Sequence, residues 1–255
     1  LIAGIGRNAW LTLNLIGISM INPNNLFEQF LGANAANSVR QAGGATKQQL
    51  DNMGMGGFAG GAVAGSLLGL VLGNKKMRKM AGGAVGYGGA AAAGALAFKA
   101  YQNWQQGKAA ATAPLAAQAD FQHVDQKFLP DFAPATNGQP FQLIMIRAMI
   151  SAAKADGHID AQEQKTIFEH VEKMGLDAQS KAFVFDALTQ PVDINAIASA
   201  ARGIEQATEL YLVSRMAIDP DHPAERAYLQ ALGHKLNLQP ELIAHLEHQV
   251  AATNT

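Results

Sequence analysis

The sequence predicts an all-α chain: a Gly-rich helical hairpin of membrane character, then a linker, then a bundle of about seven helices. Three observations predict it. Through residues 140–255 apolar side chains recur at spacings of three and four, with no alternating strand pattern. Two uncharged runs, residues 52–74 and 80–98, flank a turn of four basic residues. Two stretches of the carboxyl-terminal part repeat each other at offsets of 63 and then 62 residues.

Charge divides the chain the same way. Residues 1–119 hold nine Lys/Arg and two Asp/Glu, a balance of +7, whereas residues 120–255 hold ten and eighteen, a balance of -8. The net charge of -1 hides this split, which predicts two parts with different surroundings. The absence of cysteine excludes disulfides, thiolate metal sites and Cys nucleophiles.

Residues 1–19 include the apolar stretch "AWLTLNLIGIS" after Arg7, too short for a membrane span, and no small-residue cleavage site follows it. They read as an extension upstream of a natural start near Met20. Residues 20–51 form a short amino-terminal region in which Leu26, Phe27, Phe30 and Leu31 make one apolar helix face.

Residues 52–98 carry the membrane expectation. The first uncharged run has 23 residues and the second 19. As helices they measure about 34 Å and about 28 Å, against a hydrocarbon core of roughly 30 Å. Gly57, Gly61, Gly65, Gly69 and Gly73 fall every four residues, and Gly82, Gly86, Ala90 and Gly94 continue the spacing. Such a ladder lines one helix face with hydrogens and lets two backbones approach closely, within the chain or by self-association. Leu67, Leu68, Leu70, Val71 and Leu72 supply the apolar bulk that a flexible linker would not need. "GYGGAA" matches a dinucleotide fingerprint in spacing, but a basic turn precedes it where a strand is required. "GLVLGNKK" fails as a phosphate loop, since Asn74 replaces a required Gly and no Ser/Thr follows the Lys. Lys75, Lys76, Arg78 and Lys79 place the turn 75–79 in the cytoplasm by the positive-inside rule. The second run is the weaker span, so the expected topology has it packed against the first or at the interface, with the carboxyl terminus cytoplasmic.

Residues 99–139, rich in Ala, Gln and Pro, read as a linker with local structure around Phe121 and Phe128. In residues 140–255 the apolar spacing marks helices through Phe141–Ala152, Ile167–Met174, Ala182–Leu188, 194–201, Leu210–Ala217, Ala227–Leu236 and Leu242–Val250.

The repeat pairs "AAKADGHIDAQEQKTIFEHVEKMGLDAQ" with "RMAIDPDHPAERAYLQALGHKLNLQPE", matching Asp156 to Asp219, Glu163 to Glu225 and Leu176 to Leu238. Each unit reads helix, acidic loop, helix, turn, helix, in a pseudo-two-fold arrangement. "DGHIDAQE" has the second half of an EF-hand loop, but the first and third ligand positions fall on Ala152 and Lys154, which excludes an EF-hand. The loops also suit plain helix capping: Asp160 and Glu163 have capping-box spacing, Pro223 suits a first helical position, and Glu225 sits in that first turn.

"AAKADGHIDAQEQ" resembles the signature of the TerB-like, tellurite-resistance-associated domain. The span from Gln29 to Val250, including "NKKMRK" and "AIDPDHPAERAYLQALG", resembles the YebE-like bacterial inner-membrane family. The resemblance implies an all-helical TerB-like domain over residues 140–255, a cytosolic place for it, and a divalent-cation site made by acidic residues. Carried over residue by residue, the metal candidates are Asp156, Asp160, Glu163, Asp219, Asp221 and Glu225. A hard cation wants six or more oxygens, so such a site needs both loops. His158 and His222 lie in the same loops and would turn it toward a transition metal; otherwise they are simply exposed.

No catalytic residues are assigned: neither G-x-S-x-G nor H-E-x-x-H occurs, and the seven His are scattered. The acidic balance of residues 120–255 disfavours nucleic acid. The expected function is therefore a non-enzymatic inner-membrane protein whose acidic domain binds a divalent cation and relays that state to a protein partner or stress response. The alternative is a structural membrane-associated scaffold whose acidic loops only cap helices.

Overall fold

The computed structural model describes residues 21–31, 89–155, 177–218, 220 and 222–253. Eight α-helices and no strand occur among them: α1 (Pro23–Leu31), α2 (Gly89–Gln105), α3 (Phe141–Ala153), α4 (Ala178–Thr189), α5 (Ile194–Ala200), α6 (Gly203–Ala217), α7 (Pro223–Lys235) and α8 (Pro240–Thr253). Short 3-10 turns at Ala110–Thr112, Gln118–Gln122 and Gln126–Phe128 punctuate the path from α2 to α3. Six of the seven expected carboxyl-terminal helices are thus present; the one expected through Ile167 and Met174 lies outside the described residues, as do residues 1–19, 52–88 and the basic turn.

Local chemistry sets the helix ends. Asp177 caps α4, accepting from the N–H groups of Gln179 and Ser180 at 3.0 and 2.9 Å. Slight burial pushes its pKa up, but those bonds and the Ser180 hydroxyl outweigh burial and hold the carboxyl below its usual value. Asp193 caps α5 through Ala196 N–H at 2.9 Å. Pro223 occupies the first turn of α7, where a missing N–H costs nothing. α7 ends where Asn237 takes a left-handed φ of 53°; Asn237 and Leu238 then donate back to His234 O and Gly233 O. α4 begins at Ala178 and α8 at Pro240, 62 residues apart, so the repeat offset reappears in the helix starts.

α6 is the centre of the bundle. Every residue from Gln206 to Ala217 is buried, because α3, α2, α8 and α7 pack around it. The amino-terminal ends of α3 and α6 are tied to one stretch of chain. Gln206 Nε2 donates to Ala133 O at 2.9 Å, Arg202 reaches the carbonyls of Pro134 and Ala135, and Ala135 N–H donates to Gln139 O just before α3. α1 lays Leu26, Phe27 and Phe30, all essentially inaccessible, against α3 and α2, as its apolar face predicts.

Residues 89–139 depart most from expectation. They are not a bare connector: Ala93, Leu96, Ala97, Ala100, Phe128 and Ala135 belong to the same apolar core as α3 and α6. The last part of the second uncharged run is therefore the first half of α2, and it buries its small residues against α6 and α8 rather than facing lipid. Gly94 shows why. A Cβ there would lie 2.1 Å from Phe128 O, so the glycine admits a close backbone approach within the protein. Phe128 then packs its ring at a tilt against Phe98 and Tyr101, at centroid distances of 5.4 and 5.3 Å. Lys99 pairs with Asp120 at 2.8 Å.

Downstream, residues 106–117 strap across α2 and α8. His245 Nε2 meets Lys108 O at 3.0 Å, His248 Nε2 meets Ala113 O at 3.1 Å, and Asn103 and Gln249 both donate to Pro114 O. Among the described residues no helix is long and apolar enough to cross a membrane.

Candidate functional site

The acidic loops follow α3 and α6. Of the six metal candidates, Asp156, Asp160, Glu163, Asp219 and Asp221 lie outside the described residues, as does His158. Glu225 is described and half-buried, and its Oε2 accepts from His222 N–H at 3.4 Å. His222 Nδ1 in turn accepts from Ala224 N–H at 3.3 Å. The two side chains form a reciprocal cap on α7, the arrangement that the capping alternative requires.

The loop edges are held by bases. Lys154, at the position of a calcium ligand in an EF-hand, instead donates its ammonium to the carbonyls of Leu188 and Gln190. Burial lowers its pKa. In the second loop, Arg215 Nη1 donates to Ile218 O and Arg226 Nη1 to Pro220 O, both at 2.9 Å. The carbonyls on either side of Asp219 therefore already face guanidinium groups. A cation held there would have to draw its charge compensation from the carboxylates.

One contact bears on whether the loops can meet. Tyr228 Oη donates to Ala148 O at 3.4 Å, a buried bond between α7 and α3. Ala148 is five residues before the end of α3, and Tyr228 five residues after the start of α7. Each helix end is then about 7.5 Å along its axis from the shared bond, which puts the two loop mouths within roughly 25 Å of each other. Among the described residues no three His, Asp or Glu side chains gather as a metal site.

The described core contains a second acidic feature that the sequence reading missed. Glu209 on α6 is 0% exposed, and neither carboxyl oxygen has a hydrogen-bond partner among the described residues. It lies at the α2 crossing: a Cβ on Gly94 would stand 3.6 Å from Oε1. Burial, and secondarily the charge of Glu205 one turn earlier, push its pKa well above the usual carboxylate range. Glu205 itself pairs with Lys127 at 3.9 Å. The signal was present in the sequence, since Glu209 precedes Val213 and Met216 by four and seven residues and so lies on their apolar stripe.

Nearby, Glu247 of α8 accepts from the Tyr211 hydroxyl at 2.9 Å and from Arg215 Nε at 2.6 Å. Burial first, then the charge of Glu247, push the Tyr211 phenol upward.

These features define an all-α protein in which one buried central helix leads into an acidic loop framed by arginines. The chain belongs to the family described as protein of unknown function (DUF533), whose model matches residues 57–250; that family is related to TerB-like proteins. A Yersinia enterocolitica protein described as "Uncharacterized protein in ampR 5'region" is 35% identical over 106 residues, 42% of this chain and 76% of that one. No solved structure matches the chain.

Proposed function

We propose that this protein is a non-enzymatic component of the bacterial inner membrane whose acidic helical domain binds a divalent cation and passes that state to a protein partner. The uncharged runs and the Gly ladder of residues 52–88 support membrane residence, with self-association through the glycine face. The observation that carries the cation reading is the Tyr228–Ala148 bond, which ties the helix after the second loop to the helix before the first. Asp156, Asp160 and Glu163 would approach from one side and Asp219, Asp221 and Glu225 from the other, supplying the oxygen ligands that a hard cation wants. The cation would add positive charge between two otherwise repelling loops, which is a local change that a partner can read. The helical domain lies on the cytoplasmic side in this reading.

The test is thermal melting of the full chain with calcium, magnesium, manganese or zinc. Asp156→Asn and Asp219→Asn should each reduce the metal-dependent shift by similar amounts. Equal shifts in the wild type and both variants would dismiss a shared site. Membrane residence is tested separately by fractionation: a full-length chain left in the soluble fraction at low salt would dismiss it.

A second reading is favoured by the Glu225–His222 cap. Here the loops only terminate helices, and the protein is a membrane-associated scaffold. Under it, Glu225→Gln lowers the melting temperature without changing any response to metal.

A further inference from the structure

α1 fixes the side on which the amino-terminal flank of the Gly-rich region lies. Its Leu26, Phe27 and Phe30 are at most 1% exposed, because α1 packs against α2 and α3. Asn24 Oδ1 accepts from Gln142 Nε2 of α3 at 2.6 Å, across 118 positions of chain. Ile21 packs on the same core. On the other flank, α2 enters that core at Ala93 and contributes Leu96, Ala97 and Ala100 to it. Among the described residues no helix is long and apolar enough to cross a membrane, so this folded body lies to one side of a bilayer. The chain therefore leaves the body after residue 31 and returns to it at residue 89 on the same side.

A single crossing would carry α1 to the far side and remove three large apolar side chains from the core. Two crossings need two spans. Residues 52–74 are long enough for one, and residues 32–51, with Arg40, Lys47 and Asp51, do not make another. Between the basic turn and Ala93 only residues 80–92 remain, about 20 Å as a helix against a hydrocarbon core of roughly 30 Å. Two crossings would also set Lys75, Lys76, Arg78 and Lys79 on the face opposite the folded helices. With those helices cytoplasmic, the four charges would lie outside, against the positive-inside rule. We propose, resting on the membrane residence proposed above, that this protein does not cross the bilayer: it holds the cytoplasmic surface from one side, through the uncharged run 52–74 and the basic turn 75–79. A helix lying along the interface keeps its backbone hydrogen bonds internal and needs no spanning length. The four basic side chains then meet anionic lipid headgroups on the same face as the folded helices.

The sequence has no cysteine, so a single introduced thiol reports its own position. Ser38→Cys lies before the uncharged run, Met77→Cys in the basic turn, and Gln106→Cys at an exposed position just past α2. Each full-length variant is expressed in bacteria, and spheroplasts are treated with a membrane-impermeant maleimide before or after lysis. The chain should fractionate with the membrane, and all three thiols should be labelled only after lysis. Labelling of Met77→Cys alone in intact spheroplasts would establish a two-span hairpin and overturn the proposal. Labelling of Ser38→Cys or Gln106→Cys without the other would establish a single crossing, with α1 undocked, and overturn it equally. Labelling of all three would place the folded body outside and overturn the cytoplasmic attachment. Each of these leaves membrane residence standing; a full chain in the soluble fraction at low salt instead dismisses residence itself, and one-sided attachment with it.

Discussion

Arg215 Nε on α6 stands 2.6 Å from Glu247 Oε2 on α8, and the neighbouring Tyr211 hydroxyl donates to the other oxygen of that carboxylate. The same guanidinium also holds Ile218 O, the last backbone carbonyl before Asp219. A helix-to-helix ion pair is thereby coupled to the entrance of an acidic loop. The Glu247 side chain is 35% exposed, so solvent screens the pair, and Glu247→Gln should cost only about 1 kcal/mol. The informative quantity is non-additivity. Arg215→Met and Tyr211→Phe share one acceptor, so their double variant should lose less than the sum of the singles in urea unfolding. Strictly additive losses would show that the three groups act separately.

Glu209 gives a pH prediction with a definite sign. Its folded-state pKa is raised, so the native chain favours the neutral acid. The stabilising contribution is fully present below the ordinary Glu value of about 4.3 and is lost as pH rises through the raised value. Stability should therefore fall between those two points by about 1.4 kcal/mol per pH unit for this one proton. Glu209→Gln should flatten that slope and make the protein more stable than wild type at neutral pH. Urea unfolding at mildly acidic and neutral pH checks it; an unchanged slope in the variant would assign the pH dependence to other groups.

The described helices of residues 140–255 were legible because apolar residues recur in them at spacings of three and four, and Pro223 stands at a start that the structure confirms. The six cation candidates rest on the resemblance to TerB-like domains; of them Glu225 alone is described, and there the cap is what the geometry shows. α2 shows what composition leaves open. A run of Ala and Gly without charge has the same composition whether it faces lipid or a crowded helix crossing, and only the partner, here Phe128 O, tells them apart. The fastenings of the segment between α2 and α3 were not legible because they are side chains of α8: His245, His248 and Gln249 bind carbonyls more than a hundred residues away. Glu209 was overlooked despite its place on the stripe of Val213 and Met216, because α6 mixes in other polar residues, Gln206, Thr208 and Ser214, that are buried as well.

Gly94 distinguishes protein packing from lipid packing directly. Gly94→Ala places a methyl against the Phe128 carbonyl, where backbone rather than a flexible side chain must move. Overpacking of this kind costs about 1–3 kcal/mol. Gly107→Ala is the control, since nothing lies within 4 Å and only its φ of +65° is unfavourable. The melting temperature should drop clearly more for Gly94→Ala. Similar drops for both would mean that the close crossing of α2 is not what the glycine serves.

The boundary of the folded unit is the last prediction. A fragment beginning at residue 138 keeps α3 to α8 but lacks α1, α2 and the strap. It would uncover the faces of α3 and α6 that bury Phe27, Phe30, Leu96 and Phe128, and it would leave His245 and Gln249 without their carbonyl partners. Large aromatic and aliphatic contacts of this kind stabilise by about 1.5–3 kcal/mol per side chain, and folded domains hold a margin of only about 5–15 kcal/mol. The fragment should therefore bind a hydrophobic dye and unfold without cooperativity. One beginning at residue 89 restores α2 and the strap and should recover a cooperative melt; adding residues 21–31 as a separate peptide should raise it further, since α1 docks on α2 and α3. A sharp, dye-free transition from the fragment starting at residue 138 would show that the carboxyl-terminal bundle is self-sufficient and that α2 is an accessory to it.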